Sequence, residues 1–237
     1  MKLLDNATLE NIVSQVTIRA IDCILDLKVE MYSNKMINHD KRQWKQHLIS
    51  ENGQTERQPL SPPEDFLSLS ASPIIHNTRL RHLSERSSCS DNDNSEEIVY
   101  VDSISKKTLF DLSSVLNTAY PDYDFSDVKS VAFALVPYED VVRLVDAKFT
   151  TFVDGYGSIK DQLWSTVEAE INPAECKIYC YKNNYSSDPF SEGGVIWSLN
   201  FVFHNKTLKR QLLFSCRALS ISGHDSSIDQ WDSDDYY

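Results

Sequence analysis

Val195-Ile-Trp-Ser-Leu-Asn-Phe-Val-Phe-His204, Asn205-Lys206 and Thr207-Leu-Lys-Arg-Gln-Leu-Leu-Phe-Ser-Cys-Arg217 run together as one stretch, and its reading decides the fold. Val195, Trp197, Leu199, Phe201 and Phe203 alternate with a more polar set, and Leu208, Leu212, Phe214 and Cys216 do so again after the Asn-Lys pair. A period of two is that of strands with one buried face. The stretch therefore predicts a β-hairpin that turns at Asn205-Lys206, where Asn tolerates the positive φ of a tight turn. Two strands do not hold together alone in water, so helices or further strands must cover the aromatic face.

The cover comes from apolar segments upstream. Lys2–Leu4 reads as a strand. Leu9, Ile12, Val13 and Val16 then fall at helical spacing after Asn6 and Thr8, either of which can cap a helix. Cys23, Leu25, Leu27, Val29 and Met31 alternate as a second strand of the core. A helix over Lys106–Ala119 puts Leu109, Leu112, Val115, Leu116 and Ala119 on one face, and Pro121 closes it. Val128–Leu135 reads as a strand. Pro137 at a first helical position opens a helix with Val141, Val145, Phe149 and Phe152 inward, which Gly155 and Gly157 end. Ser158 with Asp161 looks like a capping box for a third helix carrying Ile159, Leu163, Val167 and Ile171, stopped by Pro173. A strand over Cys176–Tyr181 and a polar loop over Asn183–Gly194 lead into the hairpin. This order gives an α+β fold: a mainly antiparallel β-sheet with helices packed on it.

The polar segments set the domain organisation. Residues 38–104 hold Gln, Asn, Ser, Pro and clustered charges with little periodicity, and a segment that buries little apolar area does not recover its ordering entropy. They read as a long disordered, Ser-rich regulatory insertion, with Ile98 to Val101 as a candidate edge strand. The core then consists of 1–37 and 105–220. Residues 221–237, with Asp225, Asp229, Asp232, Asp234 and Asp235 and neither Lys nor Arg, read as an acidic disordered tail.

Composition excludes several function classes. A formal net charge of −12 over 237 residues makes phosphate-backbone binding a poor default, so no direct contact with nucleic acid is expected. No apolar run of about 20 residues occurs, so no membrane contact is expected. Five cysteines without a Cys-x-x-Cys pair fit a reducing compartment, and Cys176 and Cys180 read as buried thiols rather than half a zinc site. Gly155-Tyr-Gly157 lacks the third glycine of a nucleotide loop, and no Gly-x-Ser-x-Gly or His-Glu-x-x-His is present. No enzyme, cofactor or metal is expected. Two alternatives stand beside a protein-binding role: a signalling adaptor, and a hydrolase that would use Asp122, Asp124, Asp188 or Glu192 as its carboxylates.

Trp197-Ser-Leu-Asn-Phe-Val-Phe-His-Asn-Lys-Thr-Leu-Lys-Arg210 closely resembles the C-terminal signature of the Maf-one family of global repressors of RNA polymerase III transcription. Two further blocks follow in the family's order. Met1-Lys-Leu-Leu-Asp-Asn6 with Glu30-Met-Tyr-Ser-Asn-Lys-Met36 resembles the amino-terminal block, and Ser105-Lys-Lys-Thr-Leu-Phe110 with Pro121-Asp-Tyr-Asp-Phe125 the central one. Ala174-Glu-Cys-Lys-Ile-Tyr179 and Ser187-Asp-Pro-Phe190 also look like the family. The resemblance implies a monomeric repressor that binds RNA polymerase III directly and blocks initiation at TFIIIB-bound promoters, with the TFIIB-related subunit of TFIIIB as a further partner. It implies control by phosphorylation in response to nutrients and stress, through AGC-type and target-of-rapamycin pathway kinases. It also implies shuttling between nucleus and cytoplasm, the phosphorylated form being the inactive and more cytoplasmic one.

Three sets of residues carry these expectations. Lys35, Asp122, Asp124, Asp188, Glu192 and Trp197 are candidate polymerase contacts, although Trp197 stands on the apolar hairpin face, which favours core. Lys206, Lys209 and Arg210 match the family's nuclear targeting positions, while charges on a strand edge also keep sheets from pairing. Ser61, Ser72, Ser84 and Ser90 are candidate phosphorylation sites. Ser61-Pro62 and Ser72-Pro73 suit proline-directed kinases, Arg79-Leu-Arg-His-Leu-Ser84 a basophilic one and Ser90-Asp-Asn-Asp93 an acidophilic one.

Overall fold

The computed structural model describes residues 1–36, 41–42, 44–45, 57–62, 102–182 and 188–221. In chain order these form β1 (Lys2–Leu4), α1 (Ala7–Ile18), β2 (Ile24–Ser33), β3 (Arg57–Pro59), β4 (Ser103–Ser105), α2 (Lys106–Ala119), β5 (Phe133–Leu135), α3 (Tyr138–Phe152), α4 (Gly157–Ile171), β6 (Lys177–Tyr181), β7 (Val195–Asn205) and β8 (Arg210–Leu219). Six strands make one antiparallel sheet in the order β1-β2-β8-β7-β6-β5, and β3 pairs with β4 in a separate ribbon.

The hairpin occupies the middle of the sheet, as its apolar alternation requires. On one face Phe201, Phe203, Leu212, Phe214 and Cys216 meet Leu25, Leu27 and Val29 of β2. Three helices cover them: α1 through Leu9, Ile12 and Val16, α3 through Val141, Val145 and Phe149, and α4 through Ile159, Leu163 and Val167. Phe214 lies fully buried between Phe149 and Trp164, and truncating such a side chain to Ala costs about 3–5 kcal/mol. On the opposite face Tyr179, Val202 and Leu213 take Leu109, Leu112, Val115 and Leu116 of α2. Ser105 caps α2, its hydroxyl accepting from the Thr108 amide. Asn6 does the same for α1, accepting from Thr8 and Leu9.

Several boundaries differ from the sequence expectation, each for a physical reason. Asn205 stays in β7, opposite Arg210, and residues 206–209 make the turn. The left-handed residue is Lys209, at φ 54°. The Asn205 side chain instead donates to the Ile171 carbonyl at 2.9 Å and accepts from the Leu208 amide, so it pins the hairpin to the end of α4. Pro137 caps α3 from outside the helix. Gly155, at φ 63°, supplies the left-handed residue between α3 and α4, whereas Gly157 begins α4 rather than ending α3. No capping box starts α4, because Ser158 already lies within it and its hydroxyl donates to the Gly155 carbonyl. A 3-10 turn over Ser130–Ala132 takes up part of the strand expected at Val128–Leu135.

Parts of the span 38–104 are ordered, and the rest of it lies outside the described residues. Arg57–Pro59 pairs with Ser103–Ser105, the Leu60 amide donates to the Asp102 carbonyl, and Leu60 is buried in the cluster under α2. One buried leucine, a few backbone bonds and side-chain bonds from Arg57, Ser61, Ser130 and Lys182 hold this piece, which no periodicity announces. Trp44 packs against Phe110 of α2 with ring centroids 5.2 Å apart. The candidate edge strand at 98–101 and the acidic tail from 222 onward lie outside the described residues.

Candidate functional site

The α2 face of the sheet is half polar, and its polar half converges on Arg217 near the end of β8. In-register pairing sets Asp26 beside Arg217, and the guanidinium Nε donates to its carboxylate at 2.8 Å. Nη1 donates to the Pro189 carbonyl at 2.8 Å and to Glu192 at 2.9 Å. Tyr123, in the turn after α2, donates its hydroxyl to the same Glu192 carboxylate. Burial alone would lower the pKa of Arg217, but the hydrogen bond and charge of Asp26, with Glu192, raise it instead. One guanidinium thus joins β2, β8, the loop before β7 and the turn after α2.

A second chain of bonds seats α2. Ser215 donates to Asn200 Oδ1 at 2.7 Å, which leaves its oxygen to accept from the Tyr120 hydroxyl, also at 2.7 Å. The Lys28 ammonium stands 5.2 Å above the Tyr120 ring. At the other end of this face lie His204 and Gln211, cross-strand neighbours and both buried. Neither His204 Nδ1 nor either Gln211 amide atom has a hydrogen-bond partner among the described residues. Burial, then the charges of Lys206, Lys107 and Lys177, push the His204 pKa down to about 4, so the ring is neutral at ordinary pH.

Three of the candidate polymerase contacts fall on one rim. Asp122, Asp124 and Glu192 are exposed around Tyr123, beside a shallow depression of about 190 Å³. The Asp124 carboxylate accepts from the Ser126 amide, and the bonds from Ser126 hold its pKa below the usual range. A hydrolytic acid would need the opposite shift. Asp188 lies beneath the rim and is buried, accepting the Tyr181 hydroxyl at 3.2 Å and the Phe190 amide at 3.0 Å. Both of its oxygens are committed to bracing the loop before β7.

Lys35 and Trp197 stand elsewhere. Lys35 is exposed just after β2, where the Asn34 amide bonds the Lys209 carbonyl, so it neighbours the hairpin turn with its exposed Lys206, Lys209 and Arg210. Trp197 faces the three-helix side, 5.3 Å from Phe152, with the Lys148 ammonium 5.4 Å above its ring. Ser61 is half-buried: its hydroxyl donates to the Val131 carbonyl at 2.6 Å and its amide to that of Phe133. Ser72, Ser84 and Ser90 lie outside the described residues. Sequence reasoning passed over Asp26, Tyr123 and Arg217. Arg217 does continue the polar register of β8, but its partners come from two distant segments, β2 and the loop before β7. Among the described residues no group of three His, Cys, Asp or Glu side chains is placed to hold a metal ion.

With this geometry in place, comparison with known proteins gives consistent matches. The family model described as Maf1 regulator matches residues 25–215. A Dictyostelium discoideum protein named repressor of RNA polymerase III transcription is 40% identical over 146 residues, which is 57% of this chain and 52% of that one. The chain thus spans about half the length of that relative. A Schizosaccharomyces pombe protein with the same descriptive name is 29% identical over 221 residues, covering 92% of this chain and 83% of that one. A crystal structure of citrus MAF1 superposes with a TM-score of 0.55 at 25% identity, covering 90% of this chain and 99% of that chain.

Proposed function

The chain belongs to the Maf1 regulator family, and we propose that it represses transcription by RNA polymerase III by binding the polymerase directly. A member of this family is a regulator of transcription, not an enzyme. The observation that carries the proposal is the agreement of family match, relatives' names and fold over one stretch: 25–215 spans β2 to β8, and two relatives in different organisms are named as repressors of this polymerase.

The contact surface is the rim of Asp122, Asp124 and Glu192 that Arg217 and Tyr123 hold in place. Exposed acids held by a fixed scaffold, in a chain of net charge −12, favour encounter with a basic surface and make it salt-sensitive. Bound there, the chain keeps the polymerase from TFIIIB-loaded promoters and lowers transfer RNA and 5S ribosomal RNA synthesis under stress. Its TFIIB-related subunit is a second partner. Phosphates added to Ser72, Ser84 or Ser90 each bring about −1.5 to −2 charge, enough to disfavour both the polymerase contact and the basic turn of Lys206, Lys209 and Arg210 that directs the chain to the nucleus. Capture of purified polymerase III at low salt tests the rim, comparing wild type with Asp122→Asn/Asp124→Asn/Glu192→Gln. Capture by the variant that is weaker and less salt-sensitive than wild type supports it, and equal capture refutes it.

A further inference from the structure

Beside the acidic rim the sheet ends in bare aliphatic surface. Ile18 is 80% exposed, Ile21 40%, Ile24 39%, Ile196 52% and Ile221 56%. These five belong to one end of the fold. Ile24 opens β2 opposite Leu219 of β8, which in turn lies opposite Val195 of β7. A bulge between Val195 and Trp197 takes Ile196 out of the pairing, and its side chain meets solvent. The Ser220 amide donates to the Gly194 carbonyl, which holds Ile221 beside the start of β7, and the Ile21 amide donates to the Phe152 carbonyl. Isolated exposed aliphatics are ordinary, but several gathered at one sheet end, at the starts of β2 and β7 and in the segments flanking them, mark an interaction surface.

The charge around this surface selects its occupant. Asp22 and Asp154 are exposed at its border, Asp26 sits next along β2 on the same face as Ile24, and Glu192 follows through Arg217. Among the described residues four acids stand here against three cations, Arg217 paired with Asp26 and Glu192, Arg19 bonded to the Ser158 hydroxyl and Lys148 over Trp197, so the border keeps a net negative charge. A second copy would set acidic border against acidic border, and an anionic membrane would meet the same repulsion. A segment with aliphatic residues on one side and Lys or Arg flanking them fits both features.

We infer that Ile21, Ile24, Ile196 and their acidic border form the docking site for a basic amphipathic segment of the polymerase. This deepens, and rests on, the reading of the chain as a polymerase-binding repressor. The aliphatic centre carries the affinity and the acids set orientation and encounter rate.

The test uses the full chain with Ile21→Ser/Ile24→Ser/Ile196→Ser, and Leu208→Ser as a control at the exposed hairpin turn. Ile21 and Ile24 are only 40% and 39% exposed, so the triple variant should unfold at a lower midpoint than wild type, and binding is compared under conditions where wild type and both variants are folded. The triple variant should bind purified polymerase III at least about tenfold more weakly, and Leu208→Ser should bind as wild type. Equal binding by wild type and the triple variant overturns the inference and leaves the proposed function standing. A wild-type chain that never binds the polymerase refutes the proposed function and, with it, the polymerase as occupant, and a probe peptide then decides whether the surface takes a basic amphipathic segment. A synthetic amphipathic peptide of Leu and Lys should shift the isoleucine methyl resonances of wild type, and its Leu and Glu counterpart should not. Absence of that shift, or a wild-type dimer in sedimentation that the triple variant dissolves, overturns it.

Discussion

Replacing Asp188 separates bracing from contact. Its carboxylate accepts the Tyr181 hydroxyl and the Phe190 amide in a buried setting, and Asp188→Ala removes both bonds. A hydrogen bond to a charged acceptor contributes about 1.5–3 kcal/mol, so losing two should cost roughly 3–5 kcal/mol from a total of about 5–15. With a urea dependence of about 2 kcal/mol per molar, the midpoint should fall by roughly 2 M. Asp188→Asn keeps an acceptor for the Phe190 amide and should lose only about 1 kcal/mol. Asp122→Asn, on the exposed rim, should stay within about 0.5 kcal/mol of wild type. Equilibrium unfolding in urea, followed by tryptophan fluorescence, measures all three. If Asp188→Ala unfolds at the wild-type midpoint while losing polymerase capture, Asp188 is a contact and the bracing role is wrong.

Other outcomes follow from the same geometry. The folded pKa of His204 lies near 4, below its ordinary value of 6.5, so the unfolded chain takes up the proton first. Its contribution is complete above 6.5 and is lost as pH falls from 6.5 to 4, by about 3 kcal/mol in all. His204→Gln should flatten that part of the slope in urea titrations run between about pH 7 and about pH 4.5, and an unchanged slope contradicts the assignment. Ser61 gives up its hydroxyl bond only when its edge opens, so a proline-directed kinase should modify it far more slowly in the folded chain than in a peptide; equal time courses by mass spectrometry contradict this. Ser61→Ala should cost about 1 kcal/mol. Changing Lys206, Lys209 and Arg210 to Ala should leave the fold intact and the chain cytoplasmic by microscopy, and continued nuclear accumulation removes the targeting role.

What the sequence discloses depends on how locally each feature is encoded. Phe201, Phe203, Phe214 and Cys216 announce the hairpin because strand period is written into neighbouring residues, and Leu109, Leu112, Val115 and Leu116 announce α2 for the same reason. Asn200, His204, Gln211 and Ser215 look like the solvated face of that hairpin, yet all are buried under α2, and no local pattern says that a helix crosses there. Leu60 orders its short strand through contacts with Ile104 and the sheet, so Arg-Gln-Pro alone carries no signal. Two of the rim's acids, Asp122 and Asp124, share a sequence block that can be read directly. The clamp that places Glu192 beside them cannot, since Asp26 lies 191 residues from Arg217. Asp188 reads as one more loop acid until its burial is seen.

The most direct measurement is initiation in a purified system. A transfer RNA template preloaded with TFIIIB receives RNA polymerase III that has been incubated with increasing amounts of the chain. First-round transcripts are counted, with RNA polymerase II on its own promoter run in parallel. Direct binding predicts that polymerase III initiation falls and saturates near one chain per polymerase, and that polymerase II transcripts are unchanged. Polymerase III transcripts that remain at their starting level, with the chain folded and in excess, would contradict repression by direct binding.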